Sequence, residues 1–250
     1  MQFKVALTIL STILSPLCET RTGMIETIAA APHDRPADIA KALEEEIVLG
    51  LLQPREHLIE EEIAARFAAK RHLVRAAIFE LARLGLVDRQ TNRGAFVRVL
   101  DPENVRHIYD VRIALECLAA ERIPLPAPAQ VIGDLRAIQT LHEAAVRARD
   151  PRGAFRANMR FHATLFAACG NPHLVEMIRL SAQKVHGVRS LTAMDPHYLQ
   201  RSCDEHWAII AALQGGDRAA LVHLCESHIL PSRDVYIAQA QARAGPGDPL

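Results

Sequence analysis

From Asp101 onward, apolar residues keep a helical period for roughly 140 residues, and no alternating strand-like pattern interrupts it. A helix with one apolar stripe must bury that stripe against another element, so this part of the chain is restricted to helices packed on helices. The breakpoints are explicit. Asp101-Pro102 opens a first helix, as an N-cap followed by proline at the first position, that runs to about Arg122. Pro124, Pro126 and Pro128 separate it from a second helix ending near Arg149, and Asp150-Pro151 starts a third that closes at Gly170-Asn171-Pro172. A fourth helix covers about 173–191, a fifth about 196–213, and a sixth follows Gly215-Gly216-Asp217. Pro231 is expected to kink or end that last helix just beyond His228. Residues 101–240 are thus predicted to form an antiparallel bundle of about six helices, with 241–250 as a flexible tail.

Residues 34–100 follow a different plan. Asp38 is a candidate cap for a helix with Ile39, Leu43, Ile47 and Leu51 on one face, ended by Gly50 and Pro54. A second helix is predicted from about Ile59 to Phe67, and a third from about Arg71 to Leu84, striped by Val74, Ala77, Ile78, Leu81 and Leu84. Leu86-Val87 and the run 95–99 read as strands around the turn-prone Thr91-Asn92-Arg93-Gly94. Three helices and a hairpin make a winged helix-turn-helix, so the chain as a whole is predicted to be mainly α.

Charge gives this first domain a direction. Lys plus Arg equals Asp plus Glu, 29 each, so no global field attracts a polyanion or a membrane. Locally the balance is uneven: residues 34–65 carry three basic groups against nine acids, and 66–98 carry eight against two. Lys70, Arg71 and His72 open the third helix, with Arg75 one turn on. Helix N-termini favour phosphate, arginine forks suit guanine edges, and a helix in the major groove presents its first turns to the bases. Arg66 belongs to the same basic run, and Arg93 stands at the hairpin tip between Asn92 and Gly94. A solvated charged face is the plain alternative.

Residues 1–33 contain an apolar stretch, Val5–Leu14, that looks like a short signal peptide but is too brief to span a bilayer. The preferred reading is a start at Met24 or a loose N-terminal extension, with the protein in the cytoplasm and no membrane partner. The five cysteines form no CxxC pair, which suits reduced thiols.

Histidine placement singles out the bundle. On its third helix Phe155, Asn158, His162, Leu165 and Phe166 share a face; His206 aligns with Ile209, Ile210 and Leu213, and His228 with Leu221, Leu224 and Cys225. Buried polar groups need partners. Asn158 and His162, one turn apart, suit one ion, and His206 and His228 are placed to close on it from two other helices; three imidazoles and an oxygen suit Zn²⁺, Ni²⁺ or Mn²⁺. Spacing alone leaves ligands and satisfied core histidines equally open. His142 and His186 also fall near inward positions.

The run from Ala40 to Val99 resembles the DNA-binding domain of the GntR family of transcription regulators. The carriers are Ile47-x-x-Gly50-x-Leu52-x-Pro54, Arg71-x-x-Val74-Arg75-x-Ala77, Leu84-Gly85-Leu86-Val87 and Asn92-Arg93-Gly94-Ala95-Phe96-Val97. The resemblance implies operator contacts from Lys70, Arg71, His72, Arg75 and the wing tip. Four positions depart from it: Arg55 for glycine, Lys70 for a hydroxyl residue, Leu73 for proline and Ala76 for glutamate. Losing the hydroxyl at 70 removes the expected helix cap, worth about 1 kcal/mol. Residues from about 103 to 238, carried by "IYDVRIALECLAA", "ANMRFHATLFAACGNPHLVEMI" and "DEHWAIIAALQGGDRAALVHLCESHI", resemble the FCD effector domain of the FadR/VanR branch in its six-helix form. That resemblance implies a divalent metal held by Asn158, His162, His206 and His228, with asparagine weakening the hold by removing a charge. It also places Arg112 beside a small carboxylate effector; Glu116, one turn on, is a candidate for the same site, with an intrahelical ion pair to Arg112 as the plain alternative, and Arg189 is a weaker candidate for the carboxylate. The expected protein is a homodimer on a pseudo-palindromic operator in double-stranded DNA, not an enzyme. A metal-sensing regulator and a metal-dependent hydrolase are the alternatives, the latter lacking HExxH, GxSxG and any identifiable general base.

Overall fold

A computed structural model of the chain describes residues 35–244; the expectations for residues 1–33 lie outside it. The first domain holds α1 (Pro36–Val48), α2 (Glu60–Arg66), α3 (Arg71–Arg83) and a hairpin of β1 (Val87–Gln90) and β2 (Gly94–Val97), paired antiparallel with Val87 opposite Val97. One core unites them, from Ile39, Leu43 and Ile47 through Val74, Ile78 and Leu81 to Val87 and Val97. Asp38 does not cap α1. The helix starts earlier, at Pro36, with Arg35 in the capping position and Asp38 in the first turn, because proline supplies the helical φ and lacks only an amide that would be unbonded anyway. Lys70 occupies the α3 cap without a side-chain bond, as its chemistry dictates.

The hairpin gains a third segment that the sequence reading missed. Arg55 and Leu58 amides donate to Val97 and Ala95 carbonyls, Val97 donates back to Glu56, and His57 bridges Phe96 with rings stacked at 4.7 Å. Arg55 holds φ +71°, which explains why glycine is the usual residue there. Gly94, at φ +94°, sits against His57, where any Cβ would collide with the ring.

The second domain contains α4 (Pro102–Arg122), α5 (Ala129–Arg147), α6 (Pro151–Ala167), α7 (Pro172–Lys184), α8 (Pro196–Gly215) and α9 (Arg218–Ala244). Asp101, Asp150, Asn171 and Asp195 cap four of these helices through their side chains, and each is followed by proline. Leu135, Phe161, Leu165, Ile209, Leu213 and Leu221 form the bundle centre. Three expectations are corrected. The fourth predicted helix is two elements, α7 and a 3-10 helix at His186–Leu191 that faces the first domain. Pro231 does not end α9, which runs on to Ala244. The continuation is held by packing, since Tyr236 and Ile237 join Val105, Tyr109 and Val188 in a small core and Tyr236 Oη donates to the Leu100 carbonyl at 2.7 Å. The expected tail is therefore helical over 241–244. No described helix is long and apolar enough to cross a membrane.

Candidate functional site

The exposed side of α3 carries Lys70, Arg71, His72 and Arg75, as its inward stripe of Val74, Ala77 and Ile78 requires. A cleft runs from Arg75 to the wing, lined by His57, Arg89, Asn92 and Gly94. Asn92 takes φ +60° and Gly94 φ +94°, which turns the hairpin tightly and leaves Arg93 exposed at its tip. Arg66 is not gathered with them. Its guanidinium bonds Glu46 of α1 at 2.7 Å and lies over the Phe67 ring. Glu60 and Glu61 of α2 face the cations of α3, with Arg75 donating to both oxygens of Glu60 (3.2 and 2.9 Å) and Arg71 reaching Glu61 at 2.7 Å.

In the bundle, α6, α8 and α9 bring His162, His206 and His228 together, with one ring nitrogen of each within 4.8 Å of the others. The outer contacts settle the tautomers. Gln139 Nε2 donates to the Cys203 carbonyl, which only accepts, so Gln139 Oε1 faces His206 Nδ1 at 2.7 Å and that nitrogen carries the hydrogen. Glu205 likewise accepts from His228 Nδ1 at 2.7 Å. His206 Nε2 is thereby left as a lone pair, buried with no partner among the described residues. His162 Nε2 lies 3.1 Å from His228 Nε2, a spacing open to two nitrogens bonding one ion at about 2.1 Å. Asn158, buried with its amide nitrogen unpartnered, lines a cavity of about 70 Å³ together with Glu205 and His228. Exchange of its amide oxygen and nitrogen would aim an acceptor there.

A second cavity, of about 60 Å³, is lined by Arg112, Glu116, His162, Arg189 and His228. Arg189 and His228 border both spaces. Arg112 is buried and already engaged, donating to Glu116 at 3.0 Å and lying over the Tyr109 ring. Arg189 has no carboxylate partner among the described residues; it touches Met159 Sδ at 3.6 Å and the face of Phe155. Burial, and then repulsion from Arg112, lower its pKa to about 10. Of these two arginines, the one without a carboxylate partner among the described residues is Arg189.

Residues 36–97 match the family model "Bacterial regulatory proteins, gntR family", and residues 107–230 match the FCD domain. An HTH-type transcriptional regulator from the TAR-I ttuE-ttuC' intergenic region of Agrobacterium vitis is 33% identical over 129 residues, spanning 50% of this chain and 75% of that protein. This chain belongs to the GntR family of transcriptional regulators. The HTH-type regulator BphR of Paraburkholderia xenovorans is 28% identical over 201 residues, 77% of this chain and 81% of its own. The crystal structure of a GntR regulator from a Rhodococcus species has the same fold, with a TM-score of 0.68 at 23% identity, covering 81% of this chain and 97% of that one. This GntR protein is accordingly a DNA-binding transcriptional regulator with an FCD domain, and the relatives named above are transcriptional regulators.

The regulator also contains a set of residues that periodicity did not reveal, at the seam between its domains. Glu45 of α1 is buried and takes two bonds from Arg156 of α6, at 2.7 and 2.8 Å. Glu44 accepts from His186 Nδ1 at 2.8 Å, and Glu46 is bonded by Arg66 and approached by Arg152 at 3.9 Å. Three consecutive acids on α1 are the one sequence signal for this seam; their partners across it, Arg156, His186 and Arg152, lie over a hundred positions away. Gln139 and Glu205, which orient the histidines, were also missed, although Glu205 adjoins His206 in sequence.

Burial lowers the pKa of His142 to about 4 and holds His162 and His206 well below 6.5, so all three stay neutral at physiological pH. The unfolded chain takes up protons below 6.5 that the folded chain refuses. Stability is then complete above pH 6.5 and falls as pH drops, by about 3 kcal/mol for His142 alone before its folded pKa is reached. Metal-free protein should lose stability by at least about 1.4 kcal/mol per pH unit between pH 6 and 5 in urea titrations. A flat profile from pH 7 to 5 would show that these rings are not buried as neutral imidazoles.

Proposed function

We propose that this regulator's affinity for its operator is set by a small carboxylate bound beside a divalent metal in the FCD domain. The observation that carries the reading is the pair of tethered imidazoles, His206 on Gln139 and His228 on Glu205, whose Nε2 atoms meet His162. Outer acceptors of this kind orient metal-binding histidines and raise their basicity. His162, His206 and His228 would hold the ion, with Asn158 as the oxygen donor, and Zn²⁺, Ni²⁺ or Mn²⁺ suits the set. When bound, the ion supplies a positive charge that attracts a carboxylate. Arg189 offers the effector a guanidinium fork on the same cavity wall, and Arg112 adds a second positive charge behind Glu116.

The route to DNA starts at Arg189. It lies in the same 3-10 helix as His186, and Phe155 contacts both side chains. His186 bonds Glu44 on α1, and α1 packs on α3 in the first core. A carboxylate that draws Arg189 inward would move the 3-10 helix and, with it, the seat of the recognition helix. Such coupling is reciprocal, so DNA must weaken or strengthen effector binding by the same factor. A homodimer fits this reading: Val111 and Leu118 on α4 and Met177 on the adjacent α7 are exposed apolar side chains with no internal partner face. A hydrolytic role finds no support, because Glu205 is spent on His228 and Arg201.

The test is a thermal-shift screen of small carboxylates with and without Zn²⁺ or Ni²⁺, followed by operator titrations. The melting point should rise with metal, rise further with metal plus one carboxylate, and lose the second increment in Arg189→Ala. The DNA complex should hold two protomers per site. An ion that alters operator affinity without any carboxylate would make the metal itself the signal; no response to either would remove the reading.

A further inference from the structure

Glu60 and Glu61 are the opposing charges closest to the DNA-facing arginines, and their geometry is specific. Arg75 presents Nε and Nη2 side-on to the two oxygens of Glu60, each nitrogen meeting its own oxygen. Arg71 reaches Glu61 from the next turn of the same surface. The bond from Arg75, opposed only by slight desolvation, keeps the Glu60 carboxyl below its ordinary range, so it is ionised under all physiological conditions. The neighbouring Glu62 lies exposed on the same helix with no bonded partner among the described residues. Two of three consecutive acids are thus committed to the cations expected to read DNA, and one is not.

A carboxylate offers arginine two acceptors side by side, as do O6 and N7 on the edge of guanine. We propose that Glu60, with Glu61 in support, is a specificity-determining residue that acts through Arg75 by standing in for a guanine edge when no operator is bound. Releasing Arg75 costs two charge-assisted hydrogen bonds. Guanine returns both. A phosphate that turns only one oxygen to the fork, or the edge of adenine or thymine, returns one and leaves an N–H uncompensated. Where only one bond is returned Arg75 stays on Glu60, which keeps the basic surface from settling on arbitrary duplex. The other arrangement, in which Glu60 is a passive neighbour screened by water, makes Glu60 and Glu62 equivalent.

The experiment compares Glu60→Gln and Glu62→Gln, which remove the same charge from adjacent positions, in the full-length protein. Binding to a random-sequence duplex is measured over a range of salt concentrations, and each variant is used to select sites from a randomised duplex pool. Glu60→Gln should bind random duplex about three to five times more tightly than Glu62→Gln, since exposed ion pairs hold their partners that weakly. Its log–log salt slope should steepen by about one, the signature of one further phosphate contact. The selected sites should lose guanine preference at one position per half-site. The gain should vanish when Glu60→Gln is added to Arg75→Ala, which shows that the carboxylate acts through that guanidinium. Glu61→Gln gives an independent reading through Arg71 if Glu60→Gln folds poorly. Equal behaviour of the Glu60 and Glu62 variants, or tighter random binding with base preference intact, would overturn the proposal.

Discussion

Replacing His206 with alanine is expected to abolish the stabilisation that a divalent ion confers while leaving the metal-free protein folded. At a free ion concentration a hundred times its Kd, the wild-type chain should gain about 2.7 kcal/mol. Loss of one of three imidazoles should weaken the ion at least about a hundredfold, since even outer-sphere changes reach that size. At the same concentration the variant would gain only about 0.4 kcal/mol. The metal-free background should change little, because two effects oppose each other. The substitution removes a buried Nε2 that has no partner, a group costing about 1–3 kcal/mol. It also forfeits the stacking of His206 on Phe161 at 3.9 Å and opens a cavity. Gln139 Oε1 keeps His142 Nδ1 within 3.3 Å, so the amide is not stranded. Denaturation followed with and without added Zn²⁺ reads both quantities, and an undiminished metal response in the variant would show that the ion, if any, sits elsewhere.

The double variant Arg71→Ala/Arg75→Ala should lose sequence-specific DNA binding and keep its metal content. A bidentate arginine contact to a base is worth about 1–3 kcal/mol of discrimination, so two such residues on one recognition helix carry about 2–6 kcal/mol. Specific affinity exceeds non-specific affinity by about 4–10 kcal/mol in proteins of this kind, and this loss removes most of that margin. Lysine at Arg75 should not restore it, because an ammonium cannot form the fork. The remaining Lys70, His72 and Arg93 would still bind duplex through phosphate, with a shallower salt dependence. The α3 surface has its own core, separate from the bundle centre, so the histidine cluster should be unaffected. Footprinting on the selected operator, paired with metal analysis of the same preparation, checks both halves. Retention of the same footprint by the variant would mean that another surface reads the bases.

Much of this molecule is legible in local sequence because its signals repeat at short range. In the second domain α4, α6, α7 and α8 start where a capping side chain meets a proline, α5 follows Pro128 and α9 follows a glycine pair, and the stripe positions of α6, α8 and α9 carry the histidines inward at once. The winged helix is likewise local, as its three helices and hairpin follow one another within about 60 residues. The charge split between 34–65 and 66–98 already marks the basic half of the domain.

Other features have no periodic signature. His186 falls within the predicted fourth helix, yet the chain is a 3-10 helix there and the ring bonds Glu44 of the first domain. Pro231 reads as a stop, yet Tyr236 and Ile237 find a core that outweighs one missing amide bond. Arg112 and Arg189 look alike in sequence; the helix places Glu116 one turn from Arg112 and pairs the two, while Arg189 forms no ion pair with a carboxylate among the described residues.

The order of elements, the exposed cations of α3 and the inward turn of three histidines were determined by the sequence alone, since period, capping and local charge act over a few residues. Only the tertiary structure decided which acid meets which base: Glu45 with Arg156, Glu44 with His186, Glu205 with His228 and Gln139 with His206. Such pairings depend on where the folded backbone brings two chain segments together, and a hydrogen bond that fails beyond about 3.5 Å leaves no trace in the spacing of residues along the chain.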